Sequence, residues 1–216
     1  MKTAFKKLLV LPLLFASSVT LAQTYNFAQL LGNSNADVGS QLTLDVTNSS
    51  GNALFTFTNP VGTPSSITAI YFDDTTNLFS SVSNDVLGAA GESAVGVTYS
   101  DGASPSNLPQ GNTIGFFADF SGQSANPGIT NGVDASGEYA AFLGTLSGLA
   151  SFSSVISALD LGELRIGLSV QSTQGRGADR YELARPIPSA VPLPAAAWLF
   201  MSGLGLFGIG KKRSKL

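Results

Sequence analysis

Through most of this chain apolar residues recur every second position, and that period restricts the chain to β-strands. Leu164, Ile166, Leu168 and Val170 are apolar, with Arg165, Gly167 and Ser169 between them. Successive side chains of a strand point to opposite faces, so such a stretch buries one face and leaves the other free. Leu42, Leu44 and Val46 alternate with Thr43, Asp45 and Thr47, and Asn48-Ser49-Ser50-Gly51-Asn52 supplies turn residues. Leu54 to Thr58 then puts Phe55 and Phe57 on one face, so the two segments predict a hairpin. Tyr25, Phe27 and Gln29 predict a first strand. Ser66 to Phe72 predicts another, with Ile70 and Phe72 on one face, Tyr71 on the other, and an Asp73-Asp74 turn after it. Three more are predicted by Val95, Val97 and Tyr99, by Ile114, Phe116 and Ala118, and by Tyr139, Ala141 and Leu143, with a loop over 121–137.

The period changes once. Phe152, Val155, Ile156 and Leu159 fall at i, i+3, i+4 and i+7 behind Ser151, which predicts a short helix near 152–159 with Ser151 as its cap. Eight or so short strands and one helix predict a mainly β domain over 23–171. The expected form is an antiparallel two-layer β-sandwich of jelly-roll-like design. Residues 172–190, with Gly175-Arg176-Gly177 and Pro186-Ile187-Pro188, are expected to be a linker.

Charge divides the chain in a second way. Every lysine lies at an end: Lys2, Lys6, Lys7, Lys211, Lys212 and Lys215. Between them stand 14 acids and only Arg165, Arg176, Arg180 and Arg185, a net charge of about −10. Such a surface repels nucleic acid, so no nucleic-acid partner is expected. With Cys 0 and His 0, disulfides, thiolate metal sites, cysteine nucleophiles and imidazole bases are excluded. No cofactor is expected.

The two ends have the composition of segments handled by membranes. Met1 to Lys7 is basic, Leu8 to Phe15 apolar, and Thr20-Leu21-Ala22 small, which marks residues 1–22 as a secretory signal peptide cut between Ala22 and Gln23. At the other end, 195–210 is uncharged and apolar, and Lys211, Lys212, Arg213 and Lys215 follow it. As a helix this run would rise roughly 24 Å, a little less than the roughly 30 Å hydrocarbon core of a bilayer. The cations would stay cytoplasmic, leaving everything before Val191 outside.

Val191-Pro192-Leu193-Pro194-Ala195, then Trp198-Leu199-Phe200, Ser202-Gly203-Leu204 and the cationic end, resembles the PEP-CTERM sorting signal in its VPLPA-type variant. Leu193 stands where the commoner Pro-Glu-Pro form has Glu. The resemblance implies processing at Val191, Pro192, Leu193, Pro194 and Ala195 by an exosortase, an integral-membrane cysteine transpeptidase of Gram-negative bacteria. It implies transient residence in the inner membrane, then delivery to the cell surface or medium. The two prolines suit that role, since they hold the backbone extended outside the membrane.

Candidate chemistry in the middle is thin. Asp73 and Asp74, with Asp85 or Asp119, are candidate oxygen ligands for Ca²⁺, but two adjacent acids in a turn are more often solvated, and no metal site is expected. Glu138, Asp160 and Glu163 are a chance-level carboxylate set for a glycosidase, and no catalytic residue is expected. Tyr71, Tyr99 and Tyr139 are candidates for stacking on sugars, against the commoner reading as core-edge residues. Asn48-Ser49-Ser50 fits a glycosylation acceptor and equally a turn. With so little chemistry in the middle, the signal peptide and the resemblance of the tail imply a non-enzymatic surface or extracellular-matrix (biofilm or exopolysaccharide-associated) protein, whose processing partners are signal peptidase and an exosortase. The alternative is a surface-attached carbohydrate-binding or carbohydrate-active domain.

Overall fold

A computed structural model describes residues 22–31, 37–60, 62–84, 93–172 and 178–183. The strands are β1 (Gln23–Leu31), β2 (Thr43–Ser49), β3 (Asn52–Thr58), β4 (Ser65–Asp74), β5 (Phe79–Ser83), β6 (Tyr99–Asp101), β7 (Phe120–Ser124), β8 (Tyr139–Leu146), β9 (Leu164–Ser172) and β10 (Ala178–Leu183). A single helical turn, α1 (Gly128–Asn131), follows β7, and α2 (Phe152–Leu161) joins β8 to β9. The protein is mainly β, with two antiparallel sheets and few helices. Strands run in the order β5-β8-β3-β2-β1-β10-β9-β4-β7-β6. β1 belongs to both sheets: Gln23 to Asn26 pair with β2, and Phe27 to Leu31 pair with β10 across a register shift.

The sheets face each other across a layer of rings. Phe55 and Phe57 of β3 and Phe142 of β8 meet Phe72 of β4, at centroid separations of 5.2, 6.1 and 5.9 Å, and Tyr99 stands 5.7 Å from Phe142. Several of these contacts are edge-to-face, which sets the positive rim of one ring against the negative face of the next. On the side remote from β1 the two free edges approach. There Asn84 donates its backbone N–H to Asp101 Oδ1 at 3.1 Å and its side-chain amide to the Tyr99 carbonyl at 3.0 Å.

The second sheet buries part of its outer face as well. Ala69, Tyr71, Leu108 and Phe116 form a separate small cluster there. Arg165, opposite the apolar stripe of β9 as its position predicts, closes this cluster without being freely exposed. Its guanidinium lies 5.1 Å from the Phe116 ring centre, 3.5 Å from Asp73, and donates to the Gly115 carbonyl at 2.9 Å.

The hairpin of β2 and β3 and the helix α2 lie where periodicity puts them. Ser50 and Gly51, at φ 52° and 88°, make the two-residue turn, and both values are ones a hairpin of this length requires. Asn48 accepts the Gly51 N–H at 2.9 Å, so that side chain serves the turn. Ser151 caps α2 and Ser154 returns the bond.

Elsewhere the chain departs from its pattern. Val95 is fully exposed, and only Val97 and Tyr99 turn inward. Gly111–Ile114 is a 3-10 turn bounded by left-handed Gln110 and Gly115; it leaves Ile114 exposed and delivers Phe116 to the outer cluster, with Ala118 partly buried against it. β7 lies inside the stretch expected to be a loop. Phe120 packs partly buried against the core, but the next positions on that face are Gly122, where a Cβ would sit 2.4 Å from the Phe142 ring, and Ser124, so no apolar alternation marks the strand. In β8 the buried residues facing the rings are Ala140 and Phe142, one register away from the set read from Tyr139. Asp73 and Asp74 end β4 and are buried, where a solvated turn was expected. The stretch expected to be linker, 172–190, contains β10, a strand that gains its stability by pairing on both sides, with β1 and β9.

Candidate functional site

The first and last described strands define the geometry that matters most. Phe27 lies opposite Leu183 and Leu31 opposite Arg180, so β10 runs back towards the pole from which β1 starts. The same pole carries the Ser50-Gly51 turn, the turn between β4 and β5, and α2, because Ser49 pairs with Asn52 and Asp74 with Leu164. Ala22 is exposed there and Gln23 is the first residue of β1. Val191, Pro192, Leu193, Pro194 and Ala195, the cations Lys211, Lys212, Arg213 and Lys215, and the signal peptide before Ala22 lie outside the described residues. Among the described residues no helix is long and apolar enough to cross a membrane. The apolar run 195–210 is not among them.

The candidate calcium ligands are occupied in fastening loops. Asp74 Oδ2 accepts the Phe79 N–H at 3.0 Å and Oδ1 the Thr76 hydroxyl at 3.4 Å, while Asp119 Oδ2 accepts the Asp74 N–H at 2.8 Å. Asp73 Oδ2 accepts the Phe117 N–H at 3.2 Å and faces Arg165. Asp85 lies outside the described residues. Among the described residues no group of three or more His, Cys, Asp or Glu is placed to hold a metal ion.

The candidate glycosidase carboxylates are separated by the length of the body. Glu138 precedes β8, whose first residue pairs with Thr58 at the pole away from the chain ends. Asp160 and Glu163 flank the end of α2 at the opposite pole. Glu138 Oε2 accepts the N–H groups of Asp134 and Ala135 at 2.9 and 3.0 Å, closing a tight turn. Burial first, and the hydrogen bond and charge of Glu138 next, hold the Asp134 carboxyl above the ordinary carboxylate range. Asp160 accepts the Tyr25 hydroxyl at 3.3 Å. Burial and this acid push the Tyr25 phenol well above its usual value.

Nor do the three tyrosines form a platform. Tyr71 is buried in the outer cluster. Tyr99 is buried among the core rings, donating to the Ile67 carbonyl, and Tyr139 is partly exposed on another strand.

One concavity does have a ligand-like lining. An open depression of about 330 Å³ lies at the pole of the chain ends, lined by Thr76, Leu78, Ser153, Ser154, Ser157, Ala158 and Glu163. Sequence reasoning singled out only Glu163 of these. The signal available was the run of serines on the helix positions left over by Val155 and Leu159. Comparison of the chain with protein-family models, curated proteins and solved structures gives no match.

Proposed function

We propose that the chain is an exported, non-enzymatic surface or extracellular-matrix protein of a Gram-negative bacterium, held by the tail 191–216 and released or transferred by an exosortase. Its body is taken to be a two-layer sandwich, jelly-roll-like in that the chain passes repeatedly between the layers. The observation that supports this reading most is where the strands begin and stop. β1 starts at Gln23, the residue after the expected signal-peptidase cut, and every described strand, β10 (Ala178–Leu183) included, precedes Val191. Both cuts would therefore leave all the described strands in one piece. Of the acids weighed for catalysis, Glu138 is spent on backbone N–H groups and Asp160 on a tyrosine hydroxyl, which favours a structural role.

The test is the intact mass of the protein recovered from cell surface and medium, with and without the exosortase. An enzyme-dependent C-terminus near Pro194 is expected. Protein ending at Leu216 in both strains overturns the reading.

A further inference from the structure

Beyond an export and sorting role, the geometry points to a binding site for one neutral hexose unit of a polysaccharide, in the depression between α2 and the β4–β5 turn. Its volume of about 330 Å³ is at the lower end of the roughly 300–1,000 Å³ typical of ligand pockets, a size for one ring and not for an oligomer.

The lining has the two chemistries a sugar ring presents. Leu78 and Ala158 are almost fully buried and show only small apolar edges at the floor of the depression, enough to touch part of the C–H face of one ring. Around it stand Thr76, Ser153, Ser154, Ser157 and Glu163; the Thr76 hydroxyl is already bonded to Asp74 and those of Ser153 and Ser154 to Ser151, so a vicinal diol is met chiefly by the Ser157 hydroxyl and the Glu163 carboxylate.

The walls are fixed before any ligand arrives. Thr75 donates its backbone N–H at 3.2 Å and its hydroxyl at 2.7 Å to the Glu163 carbonyl, tying the turn to the end of α2. Ser147 donates its N–H to the Leu78 carbonyl and its hydroxyl to the Asn77 carbonyl, at 2.8 and 2.7 Å. Asp74 holds the same turn from within through Phe79 and Thr76. A site so tied loses little entropy on binding, which is what a small ligand needs. Glu163, and a body carrying 14 acids against few arginines, select against acidic sugars.

The experiment titrates ¹⁵N-labelled full-length chain, in micelles of a sugar-free zwitterionic detergent, with glucose and separately with glucuronate. Glucose is expected to shift amides of 75–78 and 153–163 saturably, with dissociation in the millimolar range, about −4 kcal/mol. Glu163→Gln is expected to weaken binding about tenfold, and Ser157→Phe, on the exposed helix face, to abolish it by filling the depression. Absence of shifts, shifts that both variants leave intact, or equal binding of glucuronate overturns the assignment. None of these outcomes changes the C-terminal mass that tests the export reading, so the two proposals fail separately.

Discussion

Gly122→Ala is the substitution whose cost the structure specifies best. A methyl at this position would lie 2.4 and 2.5 Å from Cε1 and Cζ of Phe142, against an ordinary carbon contact of about 3.5–4.0 Å. The ring has nowhere to retreat. Phe57, Phe72 and Tyr99 surround it at 6.1, 5.9 and 5.7 Å, centre to centre. Overpacking of this kind typically costs about 1–3 kcal/mol, and a rigid ring places it towards the upper end. Phe142→Ala alone should cost about 3–5 kcal/mol by opening a cavity. In the double variant the new methyl enters the vacated space, so the combined cost should fall short of the sum by about 1–3 kcal/mol. Urea unfolding of residues 23–190, followed by far-ultraviolet circular dichroism, measures all three corners against the wild type. A neutral Gly122→Ala, or strictly additive costs, would show that β7 does not lie over Phe142, and would overturn the pairing of Ile70 with Gly122 that places it there.

Two further outcomes can be checked in the same assay. Asp134 has a raised carboxyl, so the folded chain holds its proton more tightly than the unfolded chain does. Its contribution to stability is greatest below the unfolded value and is lost as pH rises through the raised folded value; Asp134→Asn should flatten that part of the pH curve in thermal melts, and an unchanged slope refutes the assignment. Asn59 is buried, donating to the carbonyls of Ser65 and Val133 at 2.8 and 3.0 Å and accepting from Gln41 at 2.7 Å. Asn59→Ala should cost about 1–3 kcal/mol by leaving these groups unpaired, and a neutral result would show that water replaces the side chain.

The sequence is a good guide wherever one face of a strand is buried and the other free. β2, β3 and β9 have that arrangement, and their alternation, the hairpin turn and the capped helix α2 follow from local rules. Legibility fails where the third dimension sets the residue. β4 is buried throughout its length, because rings pack one face and the Tyr71 cluster the other, so its period carries little information. Gly122 is glycine because of a phenylalanine twenty residues later in the chain. β10 belongs to the fold through its partners β1 and β9, which are distant or looped away in sequence. The strand order itself has no local signature, since β4 pairs with β9 and β7 and β3 with β8 across long separations. Among the candidate residues, Asp73, Asp74, Asp119 and Glu138 each accept a backbone N–H and Asp160 a tyrosine hydroxyl, in places that do not converge on one site. The sequence contains nothing that says Asp74 faces the N–H of Phe79 and not a cation.

The pairing of β1 with β10 also governs how the body responds to pulling. The first and last described strands are antiparallel neighbours, and the start of β1 and the end of β10 face one pole. Tension between the two ends would therefore load the ladder one rung at a time, as a zipper is opened, and would not shear all its hydrogen bonds together. A module built this way makes a weak link if forced to transmit load in series from end to end. If the proposed sorting holds it by its C-terminal side alone, with the N-terminus free, no tension would cross that seam, and pull at the attachment point would not unravel the fold.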